Sequence, residues 1–316
     1  RMELKIKETP IQTITWPNLT NQIDMKREDM IPFSFGGNKV RIGYEYWMDA
    51  RAQGCDTMIA YGSSRSNMCR VIATLCKCSD MSCYVVSPME EQEGYAASGN
   101  SRILESMNIP VIICQREQVA ETLSKLMQGL RQEGKNPYYI LGDAHGRGHE
   151  AVGNRAYEKV FQEILKQEEV QGYAYQYIFL ASGTGTTQSG LISGQAEFGR
   201  DREHRIIGIS IARDAEHGVA AIQEKLPEQL WNRIQFVDGY RGGGYGERQE
   251  EMTELIQQMM ERNGIPLDAT YTGKAFRGML LWLEAHQISG ARVLFLHTGG
   301  TPLYFDELYV NTSLDR

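Results

Sequence analysis

Tyr177-Ile178-Phe179-Leu180-Ala181-Ser182-Gly183-Thr184-Gly185-Thr186-Thr187-Gln188-Ser189-Gly190 holds in one span the pattern on which the chain is built. Its first four residues are bulky and apolar, as in a strand buried on both faces. Glycines and hydroxyls then break the run, and a helix beginning near Gln188 follows. A strand that turns directly into a helix is half of a βαβ unit, and the pattern recurs on either side. Strand candidates fall at 57–61, 83–87, 111–114, 138–141, 177–181, 205–211, 234–237 and 293–296. Helix candidates lie between nearly all of them, at 67–77, 99–107, 119–131, 152–167, 188–198, 249–263 and 274–286. Such alternation requires crossover connections, so it predicts an α/β fold with parallel sheets covered on both faces. Ahead of it, Thr9-Pro10-Ile11 reads as irregular chain, and Ile23 to Asp29 as a short edge strand.

In folds of this kind ligands bind outside the carboxyl ends of the strands, so the loops there carry the chemistry. The turn through Gly183, Thr184, Gly185, Thr186 and Thr187 offers backbone N–H groups, hydroxyls and a helix dipole, which together make a phosphate cradle. It is not a Walker A loop, since no Gly-Lys-Ser/Thr closes it, and Gln188 takes the last glycine position of a dinucleotide fingerprint. Phosphate binding without a nucleotide motif points to a phosphorylated cofactor.

A second stretch, Phe35-Gly36-Gly37-Asn38-Lys39-Val40-Arg41, supplies a nucleophile. Asn38 reads as an N-cap, and Val40, Tyr44, Trp47 and Met48 recur at helical spacing. Lys39 then sits in a first helical turn, where the positive end of the dipole disfavours an ammonium and favours the nucleophilic amine. Gly62-Ser63-Ser64-Arg65-Ser66-Asn67 is another strand-to-helix turn, with Ser66 and Asn67 at a helix N-terminus able to hold a carboxylate. His297-Thr298-Gly299-Gly300 follows the last strand. Tyr245, in a run of glycines, and Tyr271, ahead of a helix, could each stack on a flat ligand or pack in the core.

Composition narrows the classes. The 316 residues carry a formal charge of −7, with no basic, aromatic-laced cluster, which argues against nucleic acid. No apolar run is long enough to span a membrane, and residues 1–5 lack the apolar core of a secretion signal, so cytosol is the expectation. Cys69, Cys76, Cys78 and Cys83 match no zinc-knuckle spacing and read as reduced thiols, and His145 and His149 lack a third ligand, so no metal is expected.

A nucleophilic lysine, a separate phosphate cradle and a stacking aromatic together describe a pyridoxal phosphate site. The sequence resembles the fold type II pyridoxal-phosphate enzymes (tryptophan synthase beta-like), and within them the D-cysteine desulfhydrase and aminocyclopropane-carboxylate deaminase group. The resemblance rests on Gly36-Gly37-Asn38-Lys39, Ser66-Asn67, Gly183 to Gly190, Tyr245-Gly246, Leu267 to Lys274 and His297-Thr298-Gly299-Gly300, in the expected order along nearly the whole chain. It implies a large cofactor-binding domain of residues 1–42 and 151–316 and a small mobile domain of residues 43–150. By the same resemblance Lys39 would form the Schiff base and shuttle a proton. Asn67 would bond the ring hydroxyl, and Ser66 would meet the substrate carboxylate or assist as a base. Gly183 to Thr187 would hold the phosphate, Tyr271 would stack on the ring, Tyr245 would face an amino-acid substrate, and Thr298 would meet the ring nitrogen. A homodimer is implied as well.

Two departures matter. The deaminases of that group carry a glutamate after the stacking tyrosine, whereas this chain has Thr272. A hydroxyl leaves a shallower electron sink, adequate for losing an α-proton ahead of a good β-leaving group and less suited to opening a cyclopropane. The expected reaction is therefore β-elimination from a cysteine-like amino acid; a β-replacement synthase, the deaminase itself and a retired phospholigand-binding module are the alternatives. Arg65 and the Gly142 to Gly153 loop, with His145, Arg147 and His149, depart from the pattern too, and Arg65 or Arg147 could meet a second acidic group on the substrate.

Overall fold

In the computed structural model, which describes residues 2–89, 95–199, 203–240 and 247–313, every apolar run read as a strand from residue 57 onward is one. The strands are β1 (Ile11–Thr13), β2 (Gln22–Arg27), β3 (Thr57–Tyr61), β4 (Ser82–Pro88), β5 (Val111–Cys114), β6 (Pro137–Tyr139), β7 (Tyr177–Ser182), β8 (Arg205–Ser210), β9 (Gln235–Val237) and β10 (Arg292–His297). The helices are α1 (Asn38–Ala52), α2 (Asn67–Cys78), α3 (Gly99–Ser106), α4 (Val119–Gln132), α5 (Glu150–Gln171), α6 (Thr186–Phe198), α7 (Ala215–Gln223), α8 (Glu247–Asn263), α9 (Thr272–Ala285) and α10 (Thr301–Ser313).

The chain forms two units. One takes Arg1–Ile6 and Lys39–Gly153, the other Lys7–Asn38 and Asn154–Arg316. This differs from a division after residues 42 and 150. Helix α1 goes almost whole with the first unit, and the opening residues go with it, because the Leu4 N–H donates to Tyr44 Oη at 3.2 Å.

In the first unit β5-β4-β3-β6 make an all-parallel sheet. Met58, Ile59 and Ala60 of its inner strand β3 are fully buried, as are Val71, Ile72 and Leu75 of the amphipathic helix α2. Cys69, Cys76 and Cys83 are buried free thiols in this core. Helix α1 departs from the expected stripe: Met48 is exposed, whereas Val40, Ile42, Tyr46, Trp47 and Ala50 are buried, so the helix is covered on more than one side.

In the second unit the order is β1-β2-β10-β7-β8-β9, parallel except for β1. The expectation of an edge strand near residue 23 is corrected here. β2 lies inside the sheet between β1 and β10, which is why Ile23, Asp24, Met25 and Lys26 are all buried, and β1 is the edge. Alternate residues Phe179, Ile207, Ile209, Val293 and Phe295 pack with Phe276, Met279 and Leu283 of α9 in one core. The intervening Ile178, Leu180, Ile206, Leu294 and Leu296 are buried too, so both faces are covered, as parallel sheets require. Because β2, β10 and β7 run in one direction, the loops after them leave from the same edge, and those loops carry the candidate site.

Candidate active site

Three segments of the second unit meet at that edge. After β2 a short helical turn, Glu28–Met30, leads to Gly36 and Gly37. The Gly37 N–H donates to Glu28 O at 2.9 Å, and the Asn38 N–H to Thr298 O at 3.0 Å. A Cβ on Gly299 would stand 2.5 Å from Gly37 Cα, so the two glycines let these backbones touch. Asn38 is itself the first residue of α1 rather than its cap. Its Nδ2 donates 2.9 Å across to Thr187 Oγ1 in the first turn of α6. The side chain is spent on this bond to Thr187, which is why it does not cap its own helix. Lys39, half-buried, is the next residue in the chain.

The α6 turn has the makings of an anion site. Gly185, at φ +86°, precedes α6 without a side-chain cap, and the first turn carries no acidic residue. Ser189 is the first residue of α6 whose N–H reaches a helical acceptor, Gly185 O at 2.8 Å. The amides of Thr186, Thr187 and Gln188 are therefore the donors at the helix end. Thr184 and Thr186 place hydroxyls 3.4 Å apart beside them, and Gly183 completes the turn from β7. A phosphate dianion fits a donor set with no competing carboxylate.

Beyond it Tyr271, half-buried, stands just ahead of α9, and its N–H donates to Asp268 Oδ1 at 2.7 Å. Thr272, the residue that departs from the deaminase pattern, is fully buried. Its hydroxyl donates to Asp268 Oδ2 at 2.8 Å and accepts the Asp268 N–H at 2.9 Å, which commits it to the turn. The Thr298 hydroxyl, by contrast, has no hydrogen-bond partner among the described residues. Sequence reading missed Asp268. Burial pushes its carboxyl up, against the pull of the Tyr271 and Thr272 donors. An aspartate followed within four residues by Thr270, Tyr271 and Thr272 was the signal for such a turn.

The first unit carries Ser66 and Asn67 at the start of α2. Ser66 is a true N-cap, its Oγ accepting the Cys69 N–H at 3.1 Å, which leaves its own proton to donate. Asn67 Oδ1 accepts from Arg70 Nη1 at 2.7 Å and from Asn100 Nδ2 at 2.9 Å, while its Nδ2 has no partner among the described residues. Arg70 is fully buried, and burial draws its guanidinium down to about 10. Arg65 and Arg147 are exposed. The loop with Arg147 is closed on itself, Asp143 Oδ1 accepting from the amides of His145 and Arg147, and His149 stacks on Tyr138 at 4.4 Å. His145 is exposed in that loop, and among the described residues no group of three or more ligating side chains could hold a metal. Tyr245 lies outside the described residues.

An uncapped, donor-rich helix end after β7, with no acidic residue in its first turn, suits an anionic ligand such as a phosphate. The chain matches the family described as pyridoxal-phosphate dependent enzyme over residues 2–299 and belongs to it. Its cofactor is pyridoxal phosphate, and the donor set after β7 fits the phosphate. Among curated relatives it is 30% identical to D-cysteine desulfhydrase from Yersinia pestis (strain Pestoides F), over 96% of this chain and 95% of that one. It is 28% identical to the D-cysteine desulfhydrase of Serratia proteamaculans (strain 568), with the same coverage. Among solved structures it is similar to an ACC deaminase homologue, with a TM-score of 0.80, 29% identity and coverage of 98% of this chain and 95% of that chain. O-ureido-L-serine synthase shares the fold at a TM-score of 0.68, with 13% identity over 95% of this chain and 93% of that one. Among the described residues no helix is long and apolar enough to cross a membrane.

Proposed function

We propose that the protein is a lyase that removes the β-substituent of a cysteine-like amino acid, in the manner of a D-cysteine desulfhydrase, and releases an α-keto acid and ammonia. The observation that carries this reading is the clamp on Asn38, which fixes the start of the Lys39 helix between Thr298 O and Thr187 Oγ1. Bound pyridoxal phosphate supplies an electron sink for charge developing at the α-carbon of the amino acid. Lys39 would be the residue that holds the cofactor, and its Nζ would take the proton from the α-carbon of the substrate. The amides of Thr186 and Thr187, with the hydroxyls of Thr184 and Thr186, hold the phosphate, and Gly183 and Gly185 shape that turn. Asn67 donates Nδ2 to the ring hydroxyl oxygen, Tyr271 lies against the ring, and Ser66 donates its proton to the substrate carboxylate. Tyr245 contacts the substrate.

The partner of the ring nitrogen is the Thr298 hydroxyl. Thr272 is unsuited to donate in that role because its one hydroxyl proton goes to Asp268 Oδ2. A hydroxyl does not hold the ring nitrogen protonated as a carboxylate does, which favours elimination of a thiol or chloride over opening of a cyclopropane. Incubation with D- and L-cysteine, β-chloroalanine and aminocyclopropane carboxylate tests the reading. Keto acid forms from a β-substituted substrate without any added nucleophile, and the cyclopropane gives little. Keto acid from the cyclopropane alone, or no keto acid and instead a β-substituted amino acid once a nucleophile is added, contradicts it.

A further inference from the structure

Arg70 is a cation buried in the core of the first unit, and it is not among the residues assigned a part in the proposed reaction. The residue is 0% exposed, and Asn100, which it meets, is 0% exposed as well. Three hydrogen bonds link three side chains in a closed ring. Arg70 Nη1 donates to Asn67 Oδ1 at 2.7 Å and to Asn100 Oδ1 at 2.6 Å, and Asn100 Nδ2 donates to Asn67 Oδ1 at 2.9 Å. The Asn100 amide also donates to Arg65 O at 2.9 Å, which ties the ring to the loop ahead of Ser66.

The chemistry of the ring has a direction. A guanidinium donates hydrogen bonds and accepts none. The atom of Asn100 facing Arg70 must therefore be its oxygen, which turns the Asn100 nitrogen to Asn67. The atom of Asn67 facing both must then also be oxygen, and its Nδ2 is turned away from the ring. An asparagine amide can otherwise rotate by half a turn at little cost in shape, presenting an acceptor where a donor stood. We infer that Arg70, acting through Asn100, is a positioning residue that locks the Asn67 amide with its donor outward, toward an anionic ring oxygen of the cofactor. The inference rests on the role proposed above for Asn67.

The test titrates apo forms of the wild type, Asn67→Ala, Arg70→Lys, Arg70→Gln, Asn100→Asp and Asn67→Ala/Arg70→Gln with pyridoxal phosphate. Cofactor affinity and the wavelength of the bound cofactor's visible band are read, with thermal unfolding of each apo form as the control for folding. Arg70→Gln brings in an acceptor, and Asn100→Asp removes the donor to Asn67 while keeping a partner for Arg70. Each loosens the cofactor by about five- to tenfold, the worth of one hydrogen bond, and shifts the band as Asn67→Ala does. Arg70→Lys, still donor-only, retains most of the wild-type affinity, and Arg70→Gln adds nothing in the Asn67→Ala background. The inference is overturned if Arg70→Gln lowers only the unfolding temperature, or if its effect on affinity is undiminished without Asn67. Wild-type affinity and an unshifted band in Asn67→Ala defeat the assignment of Asn67 itself, and with it the role of Arg70.

Discussion

Position 272 shows what a single residue decides. The Thr272 hydroxyl and Asp268, both buried, exchange two hydrogen bonds, so a glutamate there would set a second carboxylate beside one already buried. Thr272→Glu is predicted to lower stability by about 3 kcal/mol, the scale of an uncompensated buried charge, and Asp268→Asn in the same chain to restore part of it. Denaturant titration of the three proteins measures both. Asp29 makes the opposite case. Burial works against its charge, but His297 and the Arg27 guanidinium, bonded through Nε and Nη2 at 2.8 Å each, outweigh it and hold the carboxyl below its ordinary value. An acid with a lowered folded-state value contributes stability above the unfolded value of about 3.8 and loses it as the pH falls through the folded one. Asp29→Asn should therefore cost about 3 kcal/mol at neutral pH and flatten the acid limb of the stability curve. Lys39 and Thr298 were legible in the sequence because glycines mark their loops. Asp268 was not, since a turn aspartate and a buried one are written with the same letter.

Among the elements, the start of α6 carries the most. Gly185 sits at φ +86°, and a Cβ there would meet Ile222 Cγ1 at 2.7 Å. Gly185→Ala is predicted to cost about 2 kcal/mol and to weaken cofactor binding more than tenfold, because strain at this residue turns the uncapped amides off the phosphate. Apo-protein unfolding and cofactor titration separate the two effects. The inner strands β3, β4, β7, β8 and β10 could be read from sequence because parallel strands buried on both faces are near-continuous apolar runs. β2 was misjudged as an edge because Asp24 and Lys26 look exposed. In the fold Asp24 takes the hydroxyls of Thr13, Tyr173 and Tyr175, and Lys26 pairs with Glu163 at 2.6 Å, so charges that suggest an edge are satisfied inside. Helix α10 was missed, although Pro302 in its first turn was a start signal.

For the whole molecule, α/β alternation fixed the class, but alternation cannot say which strands pair. Residues 22–27 lie alongside residues 292–297, and no periodicity encodes a partner so far along the chain. The family match supplies the cofactor, and the residues of each unit supply the roles proposed for them. Removing the amine proposed to carry the proton, by Lys39→Ala, should lower turnover about a thousandfold while leaving the fold intact by circular dichroism. The most direct measurement is the absorption spectrum of the purified protein before and after borohydride, with Lys39→Ala beside it and peptide mass mapping to follow. The account predicts a visible band in the wild type that borohydride abolishes, a cofactor mass fixed on the peptide containing Lys39, and neither in the variant. A colourless wild type that takes up no added pyridoxal phosphate, or a cofactor mass fixed on another lysine, would contradict it.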